Sequence, residues 1–321
     1  MLESLKSQYE TYLNKHPFAG EPSRLYDSMN YIMQLGGKRI RPILTLIGAE
    51  IAGGNSTLAL PVAHAVEVFH NFTLVHDDIM DQAPTRRNQT TLHLKEDTPT
   101  AILAGDNMMI AAYDIILKSD LKLKSQILET LSQAAREICE GQQFDMDFEK
   151  LQSVELNEYI EMIRLKTAVL LGCSLKCGAL SAEANQDLCN ALYDFGMFAG
   201  IGFQIMDDYL DAYGDPALTG KQPGGDLLAA KKTALFILAY NKANQSEKKQ
   251  LLEWFDIQFD PHERRKLTLD LFNLYHIEEH CKHLMQTYFA KAKQAIQQVN
   301  LTPTQMKPLD DLLHFLGVRT W

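Results

Sequence analysis

Apolar residues recur at steps of three and four along almost the whole chain, and this periodicity restricts the architecture most. Tyr9, Tyr12 and Leu13 begin the pattern. Ile43, Leu44, Ile47 and Ile51 continue it, up to a stop at Gly53-Gly54-Asn55. Pro61 is expected to open a helix running from Val62 to Met80. Further helices are expected over 100–118, 121–148, 155–180, 185–212, 227–240, 246–256, 261–273, 277–298 and 303–316. There is no convincing alternating strand, and no hairpin turn between two β-branched runs. The expected fold class is therefore all-α, a large helical bundle formed as a single domain over residues 1–321.

Composition narrows the possibilities. With 46% hydrophobic and 22% charged residues, the 321-residue chain can bury a large core and reads as soluble and globular. A formal net charge of -10 argues against nucleic acid as a partner, since a phosphate backbone calls for clustered Lys and Arg. Met1-Leu2-Glu3-Ser4-Leu5-Lys6 lacks the apolar segment of a signal peptide, and no apolar run is expected to reach the length of a membrane span. Cys139, Cys173, Cys177, Cys189 and Cys281 are odd in number and form no second close pair. They are expected to be reduced core thiols of a cytoplasmic protein.

Against this background two strings stand out, Asp77-Asp78-Ile79-Met80-Asp81 and Asp207-Asp208-Tyr209-Leu210-Asp211. Helix residues four apart share a face, about 6 Å apart along the axis, so Asp77 projects with Asp81 and Asp207 with Asp211. Val75 precedes one string, and Phe203, Ile205 and Met206 precede the other. Carboxylates crowded at the end of a buried helix need compensation, and Mg2+ is the natural one, held by a few carboxylates, waters and substrate phosphates. One such string alone reads as a solvated acidic face. Two copies, each after an apolar helix and before a basic loop, favour a metal.

The basic loops supply what an anion needs. Arg86-Arg87 follows the first string, and Lys221, then Lys231 and Lys232, follow the second across a loop with four glycines and two prolines between Tyr213 and Asp226. Lys38, Arg39 and Arg41 lie in a glycine-flanked turn, Gly36-Gly37-Lys38-Arg39-Ile40-Arg41-Pro42. Arg offers planar bidentate contact to phosphate and Lys a mobile charge. His70 and His76 fall on the helix before Asp77; a histidine there is usually a core hydrogen-bonding group, although His70 stands where it could contact phosphate. EF-hand, Walker, dinucleotide, zincin and nucleophile-elbow patterns are all missing.

Taken together, Gly36 to Pro42, His76 to Asp81, Arg86-Arg87, Gly141-Gln142-Gln143-Phe144-Asp145, Lys166-Thr167, Phe203 to Asp211 and Gly220-Lys221 resemble, in order, the motifs of the trans-isoprenyl diphosphate synthases. The resemblance spans nearly the whole chain. It implies helices around a central cavity, a homodimer, and a transferase that joins isopentenyl diphosphate to an allylic diphosphate (dimethylallyl, geranyl or farnesyl). It also implies three Mg2+ ions, held by Asp77, Asp81 and Asp207 with support from Asp78, Asp208 and Asp211. Arg86, Lys166, Lys221 and Lys231 would grip the allylic diphosphate. Lys38, Arg41, His70 and Arg87 would hold isopentenyl diphosphate, and Thr167 and Gln204 would face the developing cation.

The resemblance further implies that side chains below the first string limit product length. Phe72, five residues before Asp77, is the expected floor for a fifteen- or twenty-carbon product; Phe69, Met109 and Tyr113 could also shape it. Two departures stand against the family pattern. Asn88-Gln89-Thr90 replaces the usual Gly and Pro after the arginine pair, and Arg319 is the one basic residue of the last three. A class I terpene cyclase would be expected to lack the Lys38/Arg41 step and to change the second string. A non-catalytic subunit of a heteromeric synthase would be expected to degrade one string.

Overall fold

The computed structural model describes residues 1–214, 224–256 and 258–317. Lys221 and Arg319 lie outside the described residues, as does Gly220. The described structure is almost wholly helical: α1 (Leu2–Lys15), α2 (Ser23–Gln34), α3 (Ile40–Ile51), α4 (Ser56–Met80), α5 (Leu92–Lys95), α6 (Thr98–Leu117), α7 (Lys124–Lys150), α8 (Leu156–Ile163), α9 (Val169–Ser181), α10 (Gln186–Tyr213), α11 (Gly225–Leu228), α12 (Ala234–Lys242), α13 (Gln245–Trp254), α14 (Pro261–Leu274), α15 (Ile277–Ile296) and α16 (Pro303–Gly317). These segregate into two compact units, Met1–Ser132 with Cys173–Tyr193, and Gln133–Gly172 with Asp194–Trp321; α7, α9 and α10 contribute to both.

In the first unit α4 is the central element, packed against α1, α2, α3, α5 and α6. It is buried on nearly all sides: Val62, Ala63, Ala65, Val66 and Val68 are fully enclosed. It starts at Ser56, earlier than Pro61 suggests, because Asn55 Oδ1 accepts the Thr57 N–H at 2.9 Å and so initiates the helix. Pro61 then sits inside the helix, where its missing N–H costs a backbone bond. The enclosed apolar residues that follow it outweigh that loss. α3 and α9 cross at backbone contact: a Cβ on Gly178 would lie 1.9 Å from the Thr45 carbonyl oxygen, and one on Gly48 would lie 2.2 Å from that of Leu175.

Two further expectations change here. α4 and α6 are each long and apolar enough to cross a membrane by length and composition. For α4 the composition reflects the core, since 72% of its most apolar stretch is buried. The corresponding stretch of α6 is only 33% buried, and Leu103, Ile110 and Leu117 stand exposed at seven-residue spacing. Cys139 is exposed rather than core, while Cys173, Cys177, Cys189 and Cys281 are buried thiols.

The second unit has its own core, in which Tyr159, Met162, Ile201, Ile205, Phe236, Phe272 and Ile277 are prominent. The helix expected over 155–180 is interrupted by a π-turn, Arg164–Ala168, closed by the Val169 N–H donating to the Arg164 carbonyl. The helix expected over 227–240 is likewise two helices, broken where Ala230 takes a left-handed φ of 56°. Arg264, only 1% exposed, secures that break from α14: its guanidinium donates to the carbonyls of Leu228 (2.8 Å), Trp254 (2.6 Å) and Asp256 (2.7 Å).

Candidate active site

The first aspartate string closes α4. Asp78 turns inward and is 2% exposed; Asp77 is half-buried and Asp81, the C-cap, is exposed. Asp78 Oδ1 accepts from Arg86 Nε at 2.9 Å and NH2 at 2.5 Å. Arg86 thus ties the loop after α4 back to the string.

That loop is a short antiparallel hairpin, which the sequence pattern did not reveal. Thr85 pairs with Thr90 and Arg86 with Gln89. Its two-residue turn, Arg87-Asn88, has φ of 52° and 61°, the type I′ geometry that matches strand twist. Asn tolerates this conformation better than most residues, so Asn88 can replace the usual glycine.

The hairpin turn delivers Arg87 to the α2–α3 turn. Arg87 NH1 donates to the Gly36 carbonyl, and a Cβ on Gly37 would lie 2.7 Å from Arg87 Cζ. Gly36 and Gly37 have φ of 79° and 122°, so both the fold and the arginine require glycine there. Lys38, half-buried, is next in the chain. Arg41, in the first turn of α3, places NH1 2.9 Å from His70 Nε2.

His70 is buried, and burial, then Arg41, Arg87, Arg86 and Arg39, holds its pKa well below the ordinary histidine range. It is therefore neutral at physiological pH, with Nε2 accepting from Arg41. The first unit thus brings Arg41 and Arg87 to His70, with Lys38 in the same α2–α3 turn that receives Arg87. There His70 orients Arg41.

Below the string, Phe72 is 8% exposed and meets Phe69 and His76 edge-on, with ring centroids 5.3 and 5.0 Å away. Glycine at 105 on α6 admits the His76 ring, since a Cβ there would come within 2.3 Å of His76 Nε2. Met109 and Tyr113 are half-buried on the same helix.

The second string lies in the last turns of α10. Asp208 again turns inward, 4% exposed, while Asp207 and Asp211 are half-buried. The Asp208 carboxylate accepts from the Tyr159 hydroxyl, from the Ala234 N–H at 3.2 Å and from Gln204 Nε2 at 3.3 Å. It joins α8, α10 and the start of α12. Burial, then Asp226, pushes its pKa up to about 8, against the pull of those three donors. Asp211 Oδ2 accepts the Asp226 N–H at 2.9 Å and so anchors the beginning of α11.

Gln204 is oriented by the same network. Its Nε2 is committed to Asp208, so its Oε1 meets the Thr167 hydroxyl, which donates at 3.3 Å. Thr167 and Lys166 occupy the π-turn, a departure frequent at functional sites. Two glycines admit that turn: a Cβ on Gly141 of α7 would lie 2.3 Å from Lys166 N, and one on Gly200 of α10 would lie 2.7 Å from Ala168 Cα. Lys166 Nζ pairs with Asp145 at 2.6 Å. Lys231 is exposed, and its N–H bonds the Asp226 carbonyl at 2.9 Å, just after α11.

Glu67, Tyr159 and Asp145 join these clusters without having been assigned a role from sequence. Glu67 left a trace, a lone acid within the apolar run of α4, where an unpaired charge is prohibitive. Tyr159 left none.

Each unit carries an Asp-Asp-x-x-Asp helix end, and the first also gathers arginines, a set of groups suited to an all-helical enzyme that handles diphosphates. Residues 22–271 match the polyprenyl synthetase family. Over 230 residues the chain is 44% identical to a geranylgeranyl pyrophosphate synthase of Geoglobus acetivorans, covering 71% of this chain and 72% of that one. Over 299 residues it is 35% identical to a geranylfarnesyl diphosphate synthase of Aeropyrum pernix, covering 91% and 93%. A crystal structure of a geranylgeranyl pyrophosphate synthase superposes with a TM-score of 0.94 at 40% identity, over 100% of this chain and 99% of that one. The chain belongs to the polyprenyl synthetase family, among its short-chain trans-isoprenyl diphosphate synthases.

The burial pattern separates the roles of the aspartates. Asp78→Asn removes the charge that half-buried Arg86 pairs with, Asp208→Asn mismatches the buried Tyr159 and Ala234 donors, and each should cost about 1–3 kcal/mol of stability. Asp81→Asn, at an exposed position, should stay within about 0.5 kcal/mol of the parent. Urea unfolding midpoints measure both, and the opposite ranking would overturn the inward placement of the middle carboxylates.

Proposed function

We propose that this prenyltransferase condenses isopentenyl diphosphate with an allylic diphosphate and stops at a twenty-carbon product, within one catalytic domain over residues 1–321. The observation that carries the reading is that both aspartate strings and the basic set Lys38, Arg41 and Arg87 around His70 occur in one chain of this family. Neither a terpene cyclase nor a non-catalytic subunit gains support from the relatives. The geranylgeranyl synthases among them support the product length.

The outer carboxylates fit Mg2+. They are hard oxygen donors on exposed or half-buried helix faces. That suits an ion that keeps waters and takes phosphate oxygens. Asp77, Asp81, Asp207 and Asp211 are assigned to it, with three ions as the count the family implies; Asp78 and Asp208 hold the strings in shape. Bound Mg2+ would neutralise the charge that develops on the leaving diphosphate.

The chain's own residues do the rest. Arg86, Lys166, Lys231 and Lys221 bind the allylic diphosphate, and their charges favour its departure as the allylic C–O bond breaks. Lys38, Arg41 and Arg87 orient isopentenyl diphosphate so that its double bond attacks the allylic carbon, while His70 holds Arg41. The oxygens of Thr167 and Gln204 present negative dipoles to the cation. The attack leaves a tertiary cation on the isopentenyl unit; the carbon beside it loses a proton to the departed diphosphate and the double bond is restored, so no protein base is required. Phe72, backed by Phe69 and His76, ends chain growth, with Met109 and Tyr113 beside it on α6.

Incubation with Mg2+, isopentenyl diphosphate and dimethylallyl, geranyl or farnesyl diphosphate should yield a twenty-carbon prenyl diphosphate. Diphosphate release without incorporation of isopentenyl units would overturn elongation. Phe72→Ala should shift the product to longer chains, and an unchanged distribution would place the floor elsewhere.

We further propose a cytoplasmic homodimer, and the exposed Leu103, Ile110 and Leu117 stripe supports α6 as its interface. Sedimentation equilibrium should give twice the chain mass for the parent and a monomer for Leu103→Glu/Ile110→Glu. A monomeric parent would contradict the dimer.

A further inference from the structure

Arg39 and Glu67 form the most deeply buried ion pair among the described residues, with side chains 3% and 2% exposed and NH1 2.7 Å from Oε1. Arg39 NH2 also donates to the Met33 carbonyl at 2.6 Å. Its Nε finds no acceptor among the described residues, so two bonds hold the group. Met33 lies in the last turn of α2, Arg39 is the N-cap of α3 with a left-handed φ of 53°, and Glu67 is in mid-α4. One side chain therefore clasps the end of α2 and the start of α3 onto α4.

Stability does not explain this arrangement. Desolvating two charges costs several kcal/mol each, and apolar residues of similar volume in place of a buried pair are often neutral or stabilising. What the pair fixes is the path of the turn. Lys38 is its immediate neighbour and Arg41 follows two residues later, at the first turn of α3. Glu67 and His70 are three apart on α4 and share a face. Arg39 rests on the one and Arg41 on the other, so two rungs set the register between the turn and α4. The same turn receives Arg87 at the Gly36 carbonyl.

We infer that the buried Arg39–Glu67 pair is a positioning device for isopentenyl diphosphate, holding the α2–α3 turn so that Lys38 and Arg41 present their charges in register with Arg87 before the substrate arrives. This rests on the assignment of that cluster to isopentenyl diphosphate. The pair touches no substrate. It preorganises groups that repel one another and would otherwise spread into solvent.

The test is steady-state kinetics with each substrate varied separately, on the full-length parent and on Arg39→Met/Glu67→Met, which removes both charges together and strands neither. Helical circular dichroism and a cooperative melt establish folding. The folded double variant should show KM for isopentenyl diphosphate raised at least tenfold, with KM for the allylic diphosphate and kcat within twofold. Arg39→Lys keeps a charge for Glu67 but cannot also hold the Met33 carbonyl, and should give an intermediate rise. A folded double variant with unchanged KM for isopentenyl diphosphate overturns the inference. If the double variant does not fold, an unchanged value in Arg39→Lys overturns it instead. A parent that incorporates no isopentenyl units overturns the functional reading itself, and this inference with it.

Discussion

A charge inside an apolar helix has to find a partner, and much of this structure follows from how each one does. A carboxylate or guanidinium stranded in a core costs several kcal/mol, comparable to the whole stability of a domain. α4 carries Glu67 and Asp78, and α10 carries Asp208, all less than 5% exposed. Each is satisfied from another element. Glu67 takes Arg39 from the α2–α3 turn, Asp78 takes Arg86 from the hairpin, and Asp208 takes Tyr159 from α8 and the first N–H of α12. These bonds fix the α2–α3 turn, the hairpin and the start of α12.

The same constraint sorts the two aspartate strings. On a helix, the second of five residues turns roughly 100° from the first, whereas the fifth returns to the first residue's side. The middle carboxylate therefore points into the unit and is used structurally, and the outer two are less buried, although Asp211 also holds the Asp226 N–H. A string that looks uniform in sequence divides into one buried carboxylate and two less buried ones. Gln204 and Thr167 benefit from this division, since the buried anchor fixes the amide that aligns them.

The helical class, most helix spans and both strings were legible because a 3.6-residue period leaves a direct trace in sequence. What escaped depended either on contacts distant along the chain or on segments too short or too interrupted to show a period. The π-turn at Lys166–Thr167 is accommodated by Gly141 and Gly200, neither of which marks an interruption in its own neighbourhood. The hairpin at 85–90 is two residues per strand, too short for any alternation to show. The break at Ala230 is secured by Arg264, more than thirty residues away. The apolarity of α6 was underestimated because it lies on an exposed face rather than in one unbroken run. Among the site residues, the cationic cluster was foreseen as a set of charges. That His70 is held well below the ordinary histidine range, and meets Arg41, became visible only once its burial, and then the arginines around it, were found.

The central claim is that one chain holds two diphosphate sites of different chemistry, one built on carboxylates and cations and the other on side-chain charges alone. Calorimetric titration with isopentenyl diphosphate and, separately, with a non-ionising allylic thiolodiphosphate tests it, each in Mg2+ and in excess chelator. The account predicts that allylic binding disappears without Mg2+ and weakens strongly in Asp81→Asn, while isopentenyl diphosphate still binds in chelator and is lost in Arg41→Ala. Equal dependence of both ligands on Mg2+, or allylic binding that survives the chelator, would contradict it.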